Sequence, residues 1–231
     1  MNKVRDALVE VVIIILVGGL IGAVLALVSN LFVMGVQWFG QQREASDMLS
    51  LTIGRDTVSF SSVVFLWAAA AVVVFLKTSF GISRWSGPAD AMYAAHQVNE
   101  PLDIKTGLAS TLAAFASASG GGSVGQYGPI VHFGATMGVW VKRFISSRLS
   151  HEIYLGCGVA AAISAGFNAP IAGVIFAHEA ILRHFSVRAI APITVDSVSA
   201  SALGNQWFPH TTTFEISSVL PPLAEVVPVL V

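Results

Sequence analysis

Charged residues are scarce in this chain: Asp, Glu, Lys and Arg together make up 11% of its 231 residues, against roughly 25% in an ordinary soluble domain. No long polar stretch is present that could fold as a separate soluble domain. With a formal net charge of -1, the chain also has no basic field that would attract a nucleic acid. These absences predict a single membrane domain over residues 1–231, with the lipid bilayer and not a nucleic acid as its surroundings.

Cysteine is nearly absent as well. Cys157 is the single cysteine, which excludes an internal disulfide and leaves no cysteine partner for a metal site, so we expect a small packing residue. No two of His96, His132 and His178 have the helical spacing of shared metal ligands, and we expect hydrogen-bonded packing residues there. The sequence therefore predicts neither a metal nor another cofactor.

Hydrophobic residues, in contrast, make up 55% of the chain, and the mean hydropathy is +0.75. Two long apolar runs predict transmembrane helices at residues 7–40 and 58–76, joined by a polar loop at residues 41–56. The first run is too long for a cleaved signal peptide, and as a helix of roughly 50 Å it must tilt or protrude from a hydrocarbon core of about 30 Å. The distribution of Lys and Arg predicts a cytoplasmic amino terminus, as in a bacterial-type plasma (inner) membrane protein.

The later apolar segments are shorter than the roughly 20 residues that a transmembrane helix needs. They cover residues 107–118, 129–141, 153–165 and 170–182. Backbone outside a helix cannot face lipid, so breaks between such segments are tolerated only where protein or a watery cavity bonds the freed groups. Several breaks of this kind are typical of transporters and channels with discontinuous helices.

The most pronounced break is GGGSVGQYGP, residues 120–129, with five glycines and one proline. Pro129 predicts the start of a helix, because the first turn does not need its missing N–H. The free amides and the positive end of the helix dipole would then point into the loop and favour an anion. Two similar breaks precede Pro88 and Pro170; at the first, Ser86 offers a hydroxyl either to an anion or as a helix N-cap.

Enzyme motifs in this region lack the context that their chemistry requires. The glycines of the break match G-x-G-x-x-G, but no β-α-β unit is predicted around them. Ser123 matches a hydrolase nucleophile elbow without the strand that should precede it. His178 and His184 are six residues apart, whereas a zinc protease places its two histidines four apart. We therefore predict that the protein is not an enzyme.

With these breaks in place, the sequence resembles the CLC family of chloride channels and chloride/proton exchangers. The stretch GLASTLAAFASASGGGSVGQYGPIVHFGATMG is similar to the family's G-[KR]-E-G-P region, GVAAAISAGFNAPIAGVIFAHEAI to its F-N-A-P-[IL]-A-G block, and WSGP to a shortened G-S-G-I-P. The resemblance, from about residue 7 to residue 207, implies an all-α integral membrane protein of tilted and broken transmembrane helices. Residues 7–207 would form the first of two inverted repeats, and 208–231 a linker and the start of a truncated second half.

The resemblance also implies a buried anion pathway in each subunit of a homodimer, with residues 171–203 forming the subunit contact. Chloride or a similar small inorganic anion would be the transported ligand, held by hydroxyl groups and by the amides of helix starts. The predicted anion-binding residues are Ser86, Gly87, Gly125, Gln126, Tyr127, Gly128, Pro129 and Ile130.

Two missing carboxylates argue against proton coupling. Gln126 and Tyr127 match the region of the family's gating glutamate, and Ala180 stands where exchangers commonly have a further acid, directly after the residue matching Glu179. A tyrosine, with an ordinary pKa near 10, cannot carry the proton near neutral pH. We therefore predict passive transport, with Tyr127 at the gating position either as an aromatic plug that bonds the anion or as a filler of the lost volume.

The second half of the family's pathway is missing from the sequence, including its G-x-F-x-P helix start and a facing tyrosine. The chain is expected to be a truncated product, a fragment or a half that pairs with another chain; the alternative function is a non-conducting structural half-protein that assembles with other subunits. Glu179 is expected to pair with a base or line an inner vestibule. Gly18 with Gly22, and Gly134 with Gly138, should allow close helix contact.

Overall fold

The structure of the protein is a computed structural model that describes residues 2–46, 50–53, 56–97, 102–145 and 149–208. The linker predicted at 208–231 therefore lies, apart from its first residue, outside the described residues. The elements, in chain order, are α1 (Asn2–Ala45), β1 (Ser50–Ile53), β2 (Asp56–Ser59), α2 (Ser61–Phe80), α3 (Pro88–Ala95), α4 (Ile104–Ser119), α5 (Tyr127–Phe144), α6 (His151–Phe167), α7 (Pro170–Phe176), a π-helical turn (Ala177–Leu182) and α8 (Val187–Trp207).

Helices form the body of the molecule, which confirms the predicted all-α class. Among the described residues, Ile15–Ala45 in α1 and the whole of α2 are long and apolar enough to cross a membrane. With 44 residues, α1 would measure about 66 Å along its axis, even longer than predicted. Helices α4, α5 and α6 have 16, 18 and 17 residues. They are longer than the segments predicted at 107–118, 129–141 and 153–165, and α5 and α6 come close to the roughly 20 residues of a membrane span.

The connection between α1 and α2 differs from the polar loop predicted at residues 41–56. Helix α1 continues to Ala45, and β1 and β2 then pair antiparallel, with Ser50 opposite Ser59 and Ile53 opposite Asp56. Both strands, SLTI and DTVS, contain β-branched residues, which favour extended backbone. The prediction followed polarity alone and missed this hairpin.

Helix α6 forms the centre of the fold, packed against α1, α5, α7 and α8. Every residue from 153 to 165 is buried, and most of these residues are small. A Cβ on Gly138 of α5 would lie 2.8 Å from the carbonyl carbon of Tyr154, and one on Gly134 would lie 2.8 Å from Cβ of Ala162. The predicted close contact through Gly134 and Gly138 is therefore confirmed, and its partner is α6.

The second glycine pair packs α1 against α8. A Cβ on Gly22 would lie 2.8 Å from Cβ of Ser199, and one on Gly18 would lie 2.8 Å from Cγ1 of Val195, which confirms that prediction. Asp196 lies on the same face of α8, is only 2% exposed, and its Oδ1 has no hydrogen-bond partner among the described residues. Nothing in the sequence pattern predicts that this carboxyl group is buried.

The break between α6 and α7 lies where it was predicted. Asn168 ends α6 in the left-handed conformation, with φ of 52°, and Pro170 begins α7. The side-chain oxygen of Asn168 accepts hydrogen bonds from Oγ of Ser201 at 2.8 Å and from Nδ2 of Asn205 at 2.7 Å. These two hydrogen bonds fix the turn between α6 and α7 to α8.

Candidate functional site

The start of α3 carries its own carboxylate. Gly87, in extended conformation, is the N-cap residue, so Ser86 does not have the N-cap role that was its alternative interpretation. The amide of Gly87 donates to Oδ2 of Asp90 at 2.7 Å, and Asp90 also forms an ion pair with Arg84. The amide predicted to contact an anion at Gly87 therefore already has an acceptor, which leaves the hydroxyl of Ser86 as the available donor here.

Ser86 is held in place by α4. Its backbone N–H donates to Oγ of Ser110 at 2.9 Å, whereas its own hydroxyl makes no hydrogen bond to another described residue. Because Ser110 is buried on α4, the position of Ser86 is fixed by the packing of two helices. The hydroxyl group of Ser86 is consequently oriented by the protein but still free to bind a ligand.

The glycine break divides its amides into two groups. The amides of Gly120, Gly121 and Gly122 donate to the last carbonyls of α4, and Val124 donates to the carbonyl of Gly122 at 2.8 Å. Gly121 has φ of +93°, a conformation that other residues rarely adopt. These first residues therefore close α4, and their amides are not available to a ligand.

The second group of amides opens α5. The helix begins at Tyr127, two residues before the predicted start at Pro129, and Gln126 is its N-cap. The difference arises because no N–H group of the first turn has an acceptor within the helix. Proline, which has no N–H group, is therefore tolerated beyond the first position as well. The amides of Gly125, Gln126, Tyr127 and Gly128 donate to no acceptor outside the helix among the described residues.

The two helix starts lie next to each other. A Cβ on Gly128 of α5 would be 3.4 Å from Cγ of Pro88 in α3. Beside them is a cavity of about 230 Å³. The polar side chains that line it are Ser86, Ser110, Thr111, Ser117 and His132, together with Gly87, Pro88 and Pro129 at the helix starts.

Not all of the predicted anion contacts reach this cavity. Ser86, Gly87 and Pro129 line it, whereas the other five predicted residues do not: Gly125, Gln126, Tyr127, Gly128 and Ile130. The side chain of Ile130 is 1% exposed and belongs to the core, so only its backbone faces the helix start. The polar residues of α4 were missed because a lone serine or threonine in an apolar helix gives no signal in the sequence.

His132 departs from its prediction as a hydrogen-bonded packing residue. Its side chain is 1% exposed, yet neither ring nitrogen has a hydrogen-bond partner among the described residues. His178 does fit the prediction, because it is buried and its Nδ1 lies 3.0 Å from the carbonyl oxygen of Val174. His96 is instead exposed at the end of α3. The three histidines therefore have three different environments.

Tyr127, at the predicted gating position, packs against the end of α6. Its ring stacks on that of Phe167, with centroids 3.8 Å apart and planes inclined by 24°. A Cβ on Gly166 would lie 3.1 Å from the Tyr127 ring, so a larger residue at this position would press on the ring. The ring fills space beside the start of its own helix, and both interpretations of Tyr127 remain predictions.

Comparison with known proteins identifies the family. The model of the voltage gated chloride channel family matches residues 68–231. The chain belongs to this family. This CLC chain is thus an integral membrane protein. The resemblance to the CLC family that was based on its sequence motifs is confirmed.

Curated relatives include the voltage-gated ClC-type chloride channel of Yersinia pseudotuberculosis, 25% identical over 195 residues, which cover 78% of this chain and 45% of that protein. The corresponding channel of Escherichia coli O81 is 24% identical over 137 residues, 59% of this chain and 32% of that protein. The CLC chain therefore spans less than half the length of these relatives.

Solved structures show the same fold. A CLC-type fluoride/proton antiporter superimposes with a TM-score of 0.69 at 19% identity, over 96% of this chain and 54% of that one. A slow cyanobacterial Cl-/H+ antiporter gives 0.64 at 18% identity, over 96% and 52%. The CLC chain thus has the fold of about half of each antiporter, as the sequence analysis expected.

Two further predictions can be compared with the CLC chain. Glu179 lies in the π-helical turn, is exposed, and has no ion-pair partner among the described residues, so the expected pairing with a base is not found there. In the segment predicted as the subunit contact, residues 171–203, several large apolar side chains are exposed. They are Ile171, Ile175, Phe185, Val187 and Val198.

Proposed function

We propose that this CLC chain supplies the first half of a pathway through which chloride or a similar small inorganic anion crosses the membrane passively. The observation that carries the proposal is the meeting of two helix starts beside a polar cavity that the free hydroxyl of Ser86 lines. The amides of residues 125–128, at the start of α5, are open as well, although these residues do not line the cavity. Amides at a helix start favour an anion through the dipole as well as through hydrogen bonds. The chloride channels named above support chloride as the ion.

The lining of the cavity supports release of the ion as well as its binding. No Lys or Arg side chain is among the residues that line it, and the nearby Arg84 is already paired with Asp90. Conduction requires binding that is favourable enough for entry but weak enough for exit. The hydroxyl dipoles of the lining, without a fixed positive charge, meet both requirements.

Passive transport follows from the residues at the gating position. Gln126 and Tyr127 stand where the CLC motif has its gating glutamate, and neither side chain is a carboxylate that could carry a proton in the same way. The antiporters with the same fold move protons according to their names, so the CLC chain would differ from them in this respect. Liposomes in which a chloride gradient drives protons uphill would contradict passive transport.

The test is halide efflux from liposomes that contain the purified chain. Ser86→Ala removes a hydrogen bond to a charged ligand, which contributes about 1.5–3 kcal/mol, so halide binding should weaken roughly tenfold or more. Ser123→Ala is the matched control, because Ser123 is exposed in the glycine break and does not line the cavity. Equal efflux and equal halide affinity in both variants would contradict the assignment of Ser86.

A second candidate is a structural half-protein that assembles but does not conduct. It is favoured by one observation, that the open amides at the start of α5, those of residues 125–128, do not line the cavity. A correctly inserted chain that gives no efflux at any halide gradient, with Ser86 intact, would favour this candidate over the first.

We also propose a homodimer formed through α7 and α8 in a bacterial inner membrane, with the amino terminus in the cytoplasm. The exposed apolar side chains of residues 171–203 support such a contact. Cysteine introduced at Val187, which is 83% exposed, should cross-link two copies in membranes. If no cross-linked product forms under conditions in which two covalently linked copies of the chain do cross-link, the proposed dimer is contradicted.

A further inference from the structure

Another cavity, of about 380 Å³, lies between α1, α2 and α4. Helices α2 and α4 come close together at Gly120, where a Cβ would lie 3.0 Å from the carbonyl oxygen of Phe65. We call this cavity the α2–α4 groove. Its large apolar side chains are Phe39, Phe65, Val72, Leu76, Leu112 and Phe115.

The groove runs lengthwise along α2. Its residues in this helix extend from Phe65 to Leu76, about 16 Å along the helix axis. With 20 residues, α2 matches a hydrocarbon core of about 30 Å, so its first residue, Ser61, lies near one surface of the membrane. The groove therefore begins about one helical turn below that surface, and its length is close to the thickness of one leaflet, roughly 15 Å.

A basic side chain lies at the surface end of the groove. Oγ of Ser61 donates a hydrogen bond to the carbonyl oxygen of Arg43 at 3.3 Å, so the end of α1 lies beside the start of α2. Arg43 follows the lining residue Phe39 by about one helical turn. A Cβ on Gly121, the residue after Gly120, would lie 3.0 Å from Cζ of Arg43. The guanidinium group makes no ion pair or hydrogen bond with another described residue.

An arginine at the membrane surface beside an apolar groove fits a phospholipid with a net negative charge. A guanidinium group binds phosphate through two parallel hydrogen bonds. Ser119 is the one described lining residue with a polar side chain, and it lies next to Gly120 at the Arg43 end, so the rest of the groove is apolar. Lipid tails are as apolar as leucine. The groove therefore fixes where an acyl chain lies, and the charge of Arg43 decides which headgroup is preferred.

We propose that Arg43 and the α2–α4 groove bind one anionic phospholipid, with its phosphate on the guanidinium group and one acyl chain along α2. The inference goes beyond the proposed function, because lipid binding does not require that the chain conducts an anion. A helix of a second copy is the competing occupant. Such a helix would have to bring a carboxylate to Arg43, whereas an anionic phospholipid carries its phosphate at this level of the membrane.

The experiment measures lipid binding to the purified full chain by native mass spectrometry from detergent. The probe is dioleoyl phosphatidylglycerol, and dioleoyl phosphatidylcholine, which has the same acyl chains and no net charge, is the comparison. One basic side chain near anionic headgroups contributes about a fivefold preference, so phosphatidylglycerol should bind roughly fivefold more tightly. Arg43→Gln should remove most of this preference.

Arg143→Gln is the matched control for the charge. Arg143 is also an exposed arginine in the last turn of a helix, α5, and α5 contributes no residue to the groove. This variant should keep the preference of the natural chain. Inorganic phosphate or glycerol phosphate, added at the concentration of the lipid, should not displace phosphatidylglycerol, because neither has an acyl chain.

Ala68→Phe tests the groove itself. Ala68 lines the groove and is exposed on α2, so a phenylalanine there should fill the groove and weaken the binding of both lipids. Ala70→Phe is its control, because Ala70 is an exposed residue of the same helix outside the groove. Val72→Phe is the second variant if Ala68→Phe is not recovered from the membrane.

Three results would overturn the proposal. The first is equal affinity of the natural chain for the two lipids, or an equal loss of preference in Arg43→Gln and Arg143→Gln. The second is displacement of the lipid by phosphate alone, which would indicate a site for the free ion. The third is a lower fraction of dimer in Ala68→Phe with unchanged lipid binding, since a second copy would then cover the groove.

Discussion

The contact between α5 and α6 leads to a sharp prediction about stability. Gly158 of α6 faces Gly134 and Gly138 of α5, and the nearest of these backbone atoms leave no room for a Cβ. On the opposite side, a Cβ on Gly138 would lie 2.8 Å from the carbonyl carbon of Tyr154, whereas carbon atoms normally pack at about 3.5–4.0 Å. One added methyl group must therefore push the two helices apart by roughly 1 Å.

The cost of such overpacking in a well-packed core is about 1–3 kcal/mol. For a chain of this length, that corresponds to a decrease in Tm of roughly 2–12 °C. Gly158→Ala should show this decrease when thermal unfolding is followed by circular dichroism in detergent. The obstacle is backbone on both helices, so a change of side-chain rotamer cannot relieve it.

Gly19→Ala is the control, because a Cβ at this position of α1 would meet no atom within 4 Å. Alanine is preferred over glycine within a helix by roughly 0.5–1 kcal/mol, so this variant should be unchanged or slightly more stable. The reasoning is refuted if Gly158→Ala melts at the same temperature as Gly19→Ala or above it.

Two further predictions concern helix starts. Asp103 caps α4 by accepting hydrogen bonds from the hydroxyl and amide of Thr106 and from the amide of Lys105. Asp103→Ala should therefore lower the unfolding free energy by about 1 kcal/mol, and Asp103→Asn should lower it by less. The Thr106 hydroxyl and these amides hold the pKa of Asp103 below its ordinary 3.8, so its ionised form is favoured by folding; this contribution should be present above about pH 4 and decline in melts at lower pH. If Tyr127 is a plug, Tyr127→Ala should increase halide efflux, and Phe167→Leu, which removes the stacked ring, should do so more weakly; unchanged or lower efflux in Tyr127→Ala would support the volume-filling interpretation.

Much of the fold could be read from the sequence because proline and glycine mark breaks through local backbone chemistry. The α6–α7 break at Asn168 and Pro170 and the start of α3 at Pro88 both lie where these residues predict them. The start of α5 was misplaced by two residues, because proline is acceptable throughout a first turn and does not by itself identify the first residue. The strands β1 and β2 were missed because short polar strands lack an apolar period.

The candidate site was only partly predictable for a different reason. Ser86 and the amides near Gly125 could be proposed from the sequence because a proline or a run of glycines marks them, but only Ser86 lines the cavity. The cavity depends on how α3, α4 and α5 pack, so no local pattern could bring Ser110 or Thr111 to it. The unbonded state of His132 is likewise a property of tertiary packing, since it requires that no neighbouring helix provides a polar atom within reach.

The attachment of Asn168 to α8 has a mechanical consequence. Ser201 and Asn205 donate hydrogen bonds to the side chain of Asn168. The adjacent Phe167 stacks on the ring of Tyr127. A displacement of α8 would therefore move Asn168 and, through the neighbouring Phe167, the surface on which the ring of Tyr127 is stacked.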